Sequence, residues 1–333
     1  MAARYPPRGV GRAGRRLLRR TRRGRTESRC PGKAVRMSTK VGFLGLGHMG
    51  GPMAANLVQA GYEVLAFDPV PAAQEQARGD GATVLDTAAA AAAEADVVIT
   101  MLPNGRIVLD VYREVLDVAK PGTLFIDCST IDVADAKQAA KLAVAAGHQA
   151  LDAPVSGGVA GAAAGTLTFM VGGAAPDFAA ALPLLEVMGG KVVHCGDAGV
   201  GQAAKICNNM MLGISMIGLS EAIVLGEKLG LTHEKFFDVV STASGQCWSL
   251  TSYCPVPGPV PASPANNDYR PGFATALMNK DLGLAANALR DNEVDGQIGL
   301  LAAAIYDRFN QTDAGRDFSA IVTDIRHRSG EGQ

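Results

Sequence analysis

A lysine and two asparagines stand inside an otherwise apolar stretch, GQAAKICNNMML, at residues 201 to 212. In a helix, Asn209 would share one face with Lys205, four residues before it, and Asn208 would lie three residues from the lysine, so all three could point into one cleft. A partly buried lysine can exchange a proton near neutral pH, which is the chemistry of a general acid or base. The structural alternative is a lysine that extends its ammonium to solvent. For Asn208 it is a residue that only caps or braces the helix.

A glycine pattern near the start of the folded region fits phosphate binding. An apolar strand ends at Leu44 and is followed by Gly45-x-Gly47-x-x-Gly50, a helix ending near residue 61, a second strand and Asp68. The glycines permit a tight turn, close approach of the backbone to a pyrophosphate and close helix packing. Asp68 would accept hydrogen bonds from the adenosine ribose and repel a 2′-phosphate, so the pattern favours NAD over NADP. The structural alternative is a tight turn with Asp68 as a helix cap.

Two later apolar runs, DVVITMLP and GTLFIDCST, continue an alternation of strands with alanine-rich helical segments. Such alternation predicts a doubly wound α/β domain with a parallel sheet, in which ligands lie at the carboxyl ends of the strands. The residues at these ends would line the nicotinamide or its ribose: Leu102, Pro103, Ser129 and Thr130. For the Ser-Thr pair, an ordinary strand-end turn is the alternative.

A glycine-rich stretch, DAPVSGGVAGAAAGTLTFMVGG, predicts a loop between two strands. Within it, the hydroxyl of Ser156 and the backbone N–H groups of Gly157 and Gly158 are suited to hold a carboxylate, since glycine lets the backbone approach an anion closely. The alternative is a flexible connector.

The second half of the chain predicts mostly helix. Helical segments are expected over residues 202–229, from near Thr232, over residues 278–291 and from about Gly296 to Asn310. Prolines and glycines exclude regular structure over most of residues 244–273, and a loop of this length is usually functional or packed against another element. Lys280 follows it, near the start of a helix.

Composition favours a soluble two-domain α/β protein, because 333 residues with 48% hydrophobic side chains can bury a large core. Residues 1–40 carry a net charge of about +13, which leaves about −14 for an acidic remainder that is poorly suited to nucleic acid. Six cysteines without a C-x-x-C pair predict free thiols in a reducing compartment and no metal site. The apolar run from Ile206 to Leu229 contains asparagines and glutamates, which predicts a buried helix and no membrane partner.

The arginine-rich segment over residues 1–37 is predicted to be a disordered basic extension. It contains little serine for a mitochondrial transit peptide, and a basic arm for nucleic acid is a second interpretation. We favour a third, a misplaced start upstream of Met37, which begins MSTKVGFLGLG. A cytoplasmic protein is then expected, or one of the mitochondrial matrix if the segment is a transit peptide.

Together the motifs resemble those of the β-hydroxyacid dehydrogenase family, from Lys40 to about Ile325. GFLGLGHMGGPMAANL, DAPVSGGVAGAAAGTLTFMVGG, GQAAKICNNM, YCPVPG and LMNKDLGLA stand in the family's order and spacing. The resemblance implies a Rossmann-type NAD-binding domain over residues 38–200 and an all-helical substrate and oligomerisation domain over residues 201–333. It places the active site in the cleft between them.

The resemblance also assigns roles. It implies that Lys205 is the catalytic lysine, that Asn209 assists orientation, and that Lys280 lies near cofactor and substrate. The substrate carboxylate would be held by Ser156, Gly157 and Gly158. The other expected cofactor-binding residues are Gly45, Leu46, Gly47, His48, Met49, Gly50, Asp68, Leu102, Pro103 and Thr130.

The reaction expected from the resemblance is NAD-dependent oxidation of a small β-hydroxy acid, (S)-3-hydroxyisobutyrate, to methylmalonate semialdehyde in valine breakdown. Trp248, Tyr253 and Phe273 are candidate apolar walls of the substrate pocket, with core packing as the alternative. A homo-oligomer, dimer or tetramer, is expected. One rival is another enzyme of the family, such as a tartronate semialdehyde reductase. A rival of a different class is a non-catalytic, nucleic-acid-associated binding protein.

Overall fold

The computed structural model describes residues 39–330 of the chain. The predicted basic extension over residues 1–37 lies outside the described residues. Within them, the first part, to residue 196, contains all the strands, and the part from residue 200 onward is helical. The predicted fold class, a Rossmann-type α/β domain followed by a helical domain, is confirmed.

Nine strands form one sheet in the described residues. They are β1 (Lys40–Leu44), β2 (Glu63–Phe67), β3 (Thr83–Val84), β4 (Val97–Thr100), β5 (Leu124–Asp127), β6 (Gln149–Asp152), β7 (Val155–Ser156), β8 (Leu167–Gly172) and β9 (Gly189–Gly196). Their order is β3-β2-β1-β4-β5-β6-β8-β7, and β9 also pairs with β8. Strands β1 to β6 are parallel, whereas β6 and β7 pair antiparallel with β8. The strand order reverses between β1 and β4, where ligands bind in sheets of this kind.

Seven helices cover the sheet. They are α1 (Gly50–Gln59), α2 (Pro71–Gly79), α3 (Ala88–Ala93), α4 (Gly105–Val115), α5 (Val133–Ala145), α6 (Gly158–Ala164) and α7 (Ala175–Met188). Alternate residues of one strand enter opposite cores: Val97 and Ile99 of β4 pack on one face, and Val98 packs on the other. A strand buried on both faces must be apolar throughout, which explains the continuous runs in the sequence.

Six helices form the second part. They are α8 (Val200–Lys228), α9 (His233–Val240), α10 (Trp248–Thr251), α11 (Thr275–Asp291), α12 (Gln297–Asp313) and α13 (Ile321–Arg328). Their apolar faces meet in a separate core that includes Met216, Met278 and Tyr306, all fully buried. Among the described helices, α8 alone is long and apolar enough to cross a membrane by length and composition. It packs inside the protein, with Gln202, Lys205 and Asn209 buried.

The structure differs from the sequence expectations in two segments. The stretch after Ser156 is mostly not a loop, because the alanines that follow its glycines form α6, which ends at Gly165 in the left-handed conformation. The long segment between α9 and α11 is irregular as expected, apart from the short α10 and a 3-10 turn at Pro264–Asn267. The five cysteines in the described residues are free, as predicted.

Candidate active site

The glycine loop between β1 and α1 has the geometry of a phosphate-binding turn. Gly45 has a φ of +97°, and a Cβ there would collide with the carbonyl of Met101. A Cβ on Gly50 would collide with the Gly45 carbonyl, whereas one on Gly47 would meet no atom within 4 Å. Two glycines are thus required by packing, and Gly47 leaves open space beside the backbone. No side chain caps the N-terminus of α1, so its N–H groups and positive dipole end suit a pyrophosphate.

Asp68 lies at the end of β2 and is buried. Its Oδ2 accepts a hydrogen bond from the Leu46 N–H at 2.7 Å, and its Oδ1 accepts one from the Val70 N–H at 2.8 Å. The carboxylate therefore fixes the glycine loop, a role that the sequence did not indicate. Each carboxylate oxygen can accept more than one hydrogen bond, so the expected ribose contact stays compatible with this geometry. Of the neighbouring loop residues, His48 is exposed and Met49 is half-buried.

A buried hydrogen-bond network joins the ends of β4 and β5. The Leu102 N–H donates to Ser129 Oγ at 2.8 Å, and this hydroxyl donates to Asp127 Oδ1 at 2.6 Å. Thr100 Oγ1 donates to the same oxygen at 2.7 Å. Burial raises the pKa of Asp127 to about 6, against the opposing effect of these hydrogen bonds. Ser129 thus holds together the two loops that carry the expected nicotinamide contacts.

The first turn of α8 is fastened to the same edge of the sheet. Asp152, at the end of β6, accepts hydrogen bonds from the N–H groups of Gly199 at 2.6 Å and Gln202 at 2.9 Å. The Gln202 side chain donates to the Ser129 carbonyl at 2.7 Å. Because Lys205 follows Gln202 by three residues on the same helix, these bonds set where the lysine enters the site. Asp152 and Gln202 were not singled out from the sequence, although an acidic residue ending a buried strand was a visible signal.

Lys205 is buried, with 6% of its surface exposed. Burial lowers the pKa of its ammonium, Asp281 raises that pKa, and Lys280 lowers it again. Within residues 39–330 no protein group forms a hydrogen bond or ion pair with Lys205 Nζ. A buried amine with a lowered pKa and no fixed partner is suited to exchange a proton with a bound ligand.

Asn209 is buried and Asn208 is exposed, so the two amides differ in role. Asn209 Nδ2 donates to Asp281 Oδ2 at 2.5 Å, and Asn208 Nδ2 donates to Asn209 Oδ1 at 2.9 Å. Lys205 and Asn209 are both buried, whereas Asn208 is exposed and braces its neighbour, the alternative given for it; a cleft shared by these residues stays a prediction. The two asparagines differ in burial because consecutive residues of an α-helix are rotated by about 100° around its axis.

Lys280 and Asp281, on α11, complete the charged cluster. Lys280 Nζ donates to the Thr130 carbonyl at 2.8 Å and lies 3.4 Å from the Pro103 carbonyl. Its Nζ lies 3.7 Å from Asp281 Oδ1, and Asp281 is 3% exposed. Helix α11 thus contacts both the loop that follows β4 and the loop that follows β5. Asp281 was missed from the sequence, where its only signal was its place beside Lys280.

A cavity of about 590 Å³ opens between the N-terminal ends of α4 and α5 and the helix α11. Thr130 and Lys280 line it, as does Asn104, which sequence reasoning did not select. Asn104 also caps α4, because its Oδ1 accepts a hydrogen bond from the Ile107 N–H at 3.0 Å. The cavity therefore joins predicted cofactor residues from both parts of the chain.

The predicted carboxylate-binding residues lie where β7 meets α6. Ser156 pairs with Thr168 of β8, and Gly157 and Gly158 have φ values of +139° and +63°. A Cβ on Gly158 would lie 3.1 Å from the carbonyl of Gly272, in the long segment before α11. Both positions require glycine because both have a positive φ. At Gly158 the close carbonyl of Gly272 also leaves little room for a side chain.

The three predicted aromatic walls share one stack. Trp248, with 53% of its surface exposed, stacks on Tyr253 at a centroid distance of 5.1 Å. Tyr253 stacks on Phe318 at 5.4 Å, and Phe273 meets Phe318 edge-on at 5.7 Å. Tyr253 and Phe273 are partly buried and Trp248 is exposed, so packing and a place in the pocket wall are compatible for them, and their role as walls stays a prediction.

Two family models match the chain almost end to end within the described residues. The NAD binding domain of 6-phosphogluconate dehydrogenase matches residues 40–196, and the NAD-binding of NADP-dependent 3-hydroxyisobutyrate dehydrogenase matches residues 199–325. In the described residues no group of three or more His, Cys, Asp or Glu side chains is arranged to hold a metal ion.

Similar proteins agree with these matches. A probable 3-hydroxyisobutyrate dehydrogenase of Mycobacterium tuberculosis is 55% identical over 87% of this chain and 99% of its own length. The human mitochondrial 3-hydroxyisobutyrate dehydrogenase is 45% identical over 88% of this chain and 89% of its own length. A solved structure of the M. tuberculosis enzyme with L-serine superposes with a TM-score of 0.85, covering 87% of this chain and all of that one.

Proposed function

The chain belongs to the 3-hydroxyisobutyrate dehydrogenase family, and from that premise we propose that it oxidises (S)-3-hydroxyisobutyrate to methylmalonate semialdehyde in valine breakdown, with NAD as cofactor. The observation that carries the chemistry is Lys205, a buried amine whose pKa is lowered and whose Nζ is unoccupied by protein groups. The relatives supply the identity of the substrate.

The cofactor is a good fit to this chain's own residues. Gly47 opens onto free space beside the N-terminus of α1, and the charge of Asp68 would repel a 2′-phosphate. Leu102, Pro103, Thr130 and Lys280 would line the nicotinamide end. When bound, NAD supplies the acceptor for the hydride that leaves the alcohol carbon.

Lys205 acts on the proton of the same alcohol. As the C–H bond transfers its electron pair, the O–H proton passes to the neutral amine of Lys205, and the C=O bond of the aldehyde forms. In the reductive direction the ammonium returns the proton to the oxygen. The lowered pKa raises the neutral fraction of this amine at any given pH above that of an exposed lysine.

The remaining residues orient the substrate. Ser156, Gly157 and Gly158 would hold its carboxylate through a hydroxyl and backbone N–H groups. Asn209 would fix the reacting end, with its own amide held by Asp281 and Asn208. Trp248 would offer an apolar surface to the methyl group of the substrate.

The test is NADH formation by the purified protein with NAD and each of four acids: (S)-3-hydroxyisobutyrate, L-serine, 3-hydroxypropionate and D-glycerate. Preference for the first is expected, and Lys205→Ala should lower kcat by about 10²- to 10⁴-fold through loss of the acid–base group. Lys141→Ala removes an exposed helical lysine and serves as the matched control. A folded, NAD-binding protein that oxidises none of the four acids would contradict the proposal.

L-serine is the second candidate substrate, because a solved structure of the M. tuberculosis relative contains it. It shares the carboxylate and the primary alcohol with the first candidate and replaces the methyl group by an ammonium. A higher kcat/KM for L-serine would keep the mechanism and change the substrate. Preference for D-glycerate would instead favour the rival within the family, a tartronate semialdehyde reductase.

The cellular compartment depends on the segment before Met37, and cytoplasm is the compartment we propose. Mass spectrometry of the mature N-terminus and imaging of a C-terminally tagged chain would test this. A processed chain found in mitochondria would favour the transit-peptide alternative. Salt-dependent binding of nucleic acid by the full chain, absent from a chain that starts at Met37, would favour the basic-arm alternative.

A further inference from the structure

We propose that Asp317 is a positioning residue that holds one wall of the substrate pocket in place, although it lies near the carboxyl end of the described chain. This inference rests on the proposed function for its effect on catalysis. The wall consists of Tyr253 and the backbone of Gly272 and Phe273, which we call the Gly272 wall.

The Asp317 carboxylate is fully buried and accepts five hydrogen bonds. Its Oδ2 accepts from Tyr253 Oη at 2.9 Å and from the N–H groups of Gly272 and Phe273, each at 3.0 Å. Its Oδ1 accepts from the N–H and Oγ of Ser319, at 3.0 and 2.7 Å. One oxygen thus gathers the whole Gly272 wall, and the other anchors the carboxylate to its own segment.

A carboxylate is the group that this arrangement requires. Both of its oxygens accept hydrogen bonds, whereas an amide offers one acceptor and places two donors on the other side. Tyr253 remains a donor, because burial and the Asp317 charge raise the pKa of its phenol. Burying a carboxylate without hydrogen-bond donors would lower the stability of the folded protein. The five hydrogen bonds that Asp317 accepts account for its burial in the core.

The Gly272 wall reaches the proposed carboxylate-binding loop. The Gly272 carbonyl lies so close to Gly158 that a Cβ there would approach it to 3.1 Å. On its other side the wall carries the aromatic stack, in which Tyr253 lies between Trp248 and Phe318. Displacing Gly272 would therefore disturb both the anion loop and the apolar surface offered to the substrate.

The same segment also leads into the charged cluster. The Thr275 N–H donates to the Arg316 carbonyl at 2.8 Å, and the Phe318 N–H donates to the Phe273 carbonyl at 3.0 Å. These bonds seat the first turn of α11, which carries Lys280 and Asp281 further along. Backbone pairing persists without the Asp317 side chain, so its loss should affect substrate binding more than the cofactor contacts of Lys280.

The test compares Asp317→Ala, Asp317→Asn and the wild type. Removing all acceptors leaves the three partly buried donors of the wall without Asp317, and we expect KM for (S)-3-hydroxyisobutyrate to rise at least about tenfold. The asparagine can turn its carbonyl toward the wall but lacks the charge, so a rise of about three- to fivefold is expected. The Kd for NADH, from fluorescence titration, should stay within about twofold of the wild type.

Asp324→Ala is the matched control, since it removes a carboxylate of α13 that accepts a hydrogen bond from Arg308 and leaves both Asp317 and the Gly272 wall untouched; its KM should not change. Tyr253→Phe keeps the aromatic stack and removes one donor, so it should raise KM more than the control does. Hydrogen–deuterium exchange should increase in peptides spanning residues 157–164 and 270–276 in the Asp317 variants only.

A folded Asp317→Ala protein with unchanged KM, or unchanged exchange in both segments, would overturn the inference. If that variant does not fold, Asp317→Asn decides the matter by the same two measurements. The exchange measurement needs no turnover. It therefore tests the role of Asp317 even in the case that the wild type oxidises no β-hydroxy acid. That case would overturn the proposed function and leave the inference about Asp317 to the exchange data.

Discussion

At the scale of single residues, Lys205 is subject to two charges of opposite sign. Asp281 stabilises its ammonium and Lys280 destabilises it, while burial lowers its pKa most strongly. Asp281 also binds the Asn209 amide, so one carboxylate orders an amide and tunes an amine. Because Asp281 and Lys280 act on the Lys205 pKa in opposite directions, removing one or the other should shift the pH profile of the reaction in opposite directions.

The oxidation should require the neutral amine, so kcat/KM should rise with pH up to the Lys205 pKa, which lies below its ordinary value of 10.5. Asp281→Asn removes a cause that raises this pKa and should shift the acidic limb of the profile to lower pH. Lys280→Met removes a cause that lowers it and should shift the limb to higher pH. Shifts of both variants in one direction would contradict this assignment.

Asp68 should decide the preference between the two dinucleotides. Asp68→Asn removes the charge that repels a 2′-phosphate and keeps one of the two acceptors that bind the backbone of Leu46 and Val70. The ratio of kcat/KM for NAD to that for NADP should fall about tenfold or more, equivalent to ~1.4 kcal/mol. Asp80→Asn, at an exposed position just after α2, should leave the ratio unchanged.

At the scale of elements, α8 connects the two parts of the structure. Its first turn is held by Asp152 and Gln202 against the sheet, and its middle packs in the helical core through Met216. Glycine at position 201 makes this docking possible, because a Cβ there would collide with the Met170 carbonyl and lie 2.7 Å from the Asp152 carbonyl. The helix can therefore present Lys205 only if its start lies directly on the strands.

Gly201→Ala should lower the free energy of unfolding by about 1–3 kcal/mol through overpacking, and should reduce kcat/KM because Lys205 moves with the helix. Gly218→Ala lies in the same helix, where a Cβ would meet no atom within 4 Å. It should be neutral or stabilise by up to ~1 kcal/mol. Urea unfolding followed by circular dichroism measures both, and equal effects of the two substitutions would refute the docking argument.

At the scale of the whole molecule, the helical part exposes apolar side chains that a lone chain would leave in water. Met211 of α8 and Ile298 and Leu301 of α12 are each more than half exposed. These side chains support the expectation of a homo-oligomer, which stays a prediction. Unpaired apolar surface of this kind is typical of a protein–protein contact.

Sedimentation equilibrium should therefore give two or four times the mass of one chain. Ile298→Asp and Leu301→Asp would each place a charge on that surface and should lower the association constant, while Val144→Asp, on the exposed face of α5, should not. A monomer at micromolar concentration would contradict the expectation.

The sequence by itself determined the features that are local in the chain. The glycine loop after β1, the strand-end positions of Thr130 and Asp68, and the helix that buries Lys205 follow from spacing, since each depends on residues within a few turns of one another. Family motifs extended that local information to the fold class and to the reaction expected.

Only the tertiary structure decided which distant groups meet. Asp281 binds Asn209 across 72 positions, and Asp317 gathers donors as far away as Tyr253, 64 positions before it. The residues next to an acidic side chain in the sequence do not indicate whether it faces solvent or holds a pocket wall in place. Its partners are set by the packing of segments remote in sequence, and so the residues that position the site became visible only once the chain was folded.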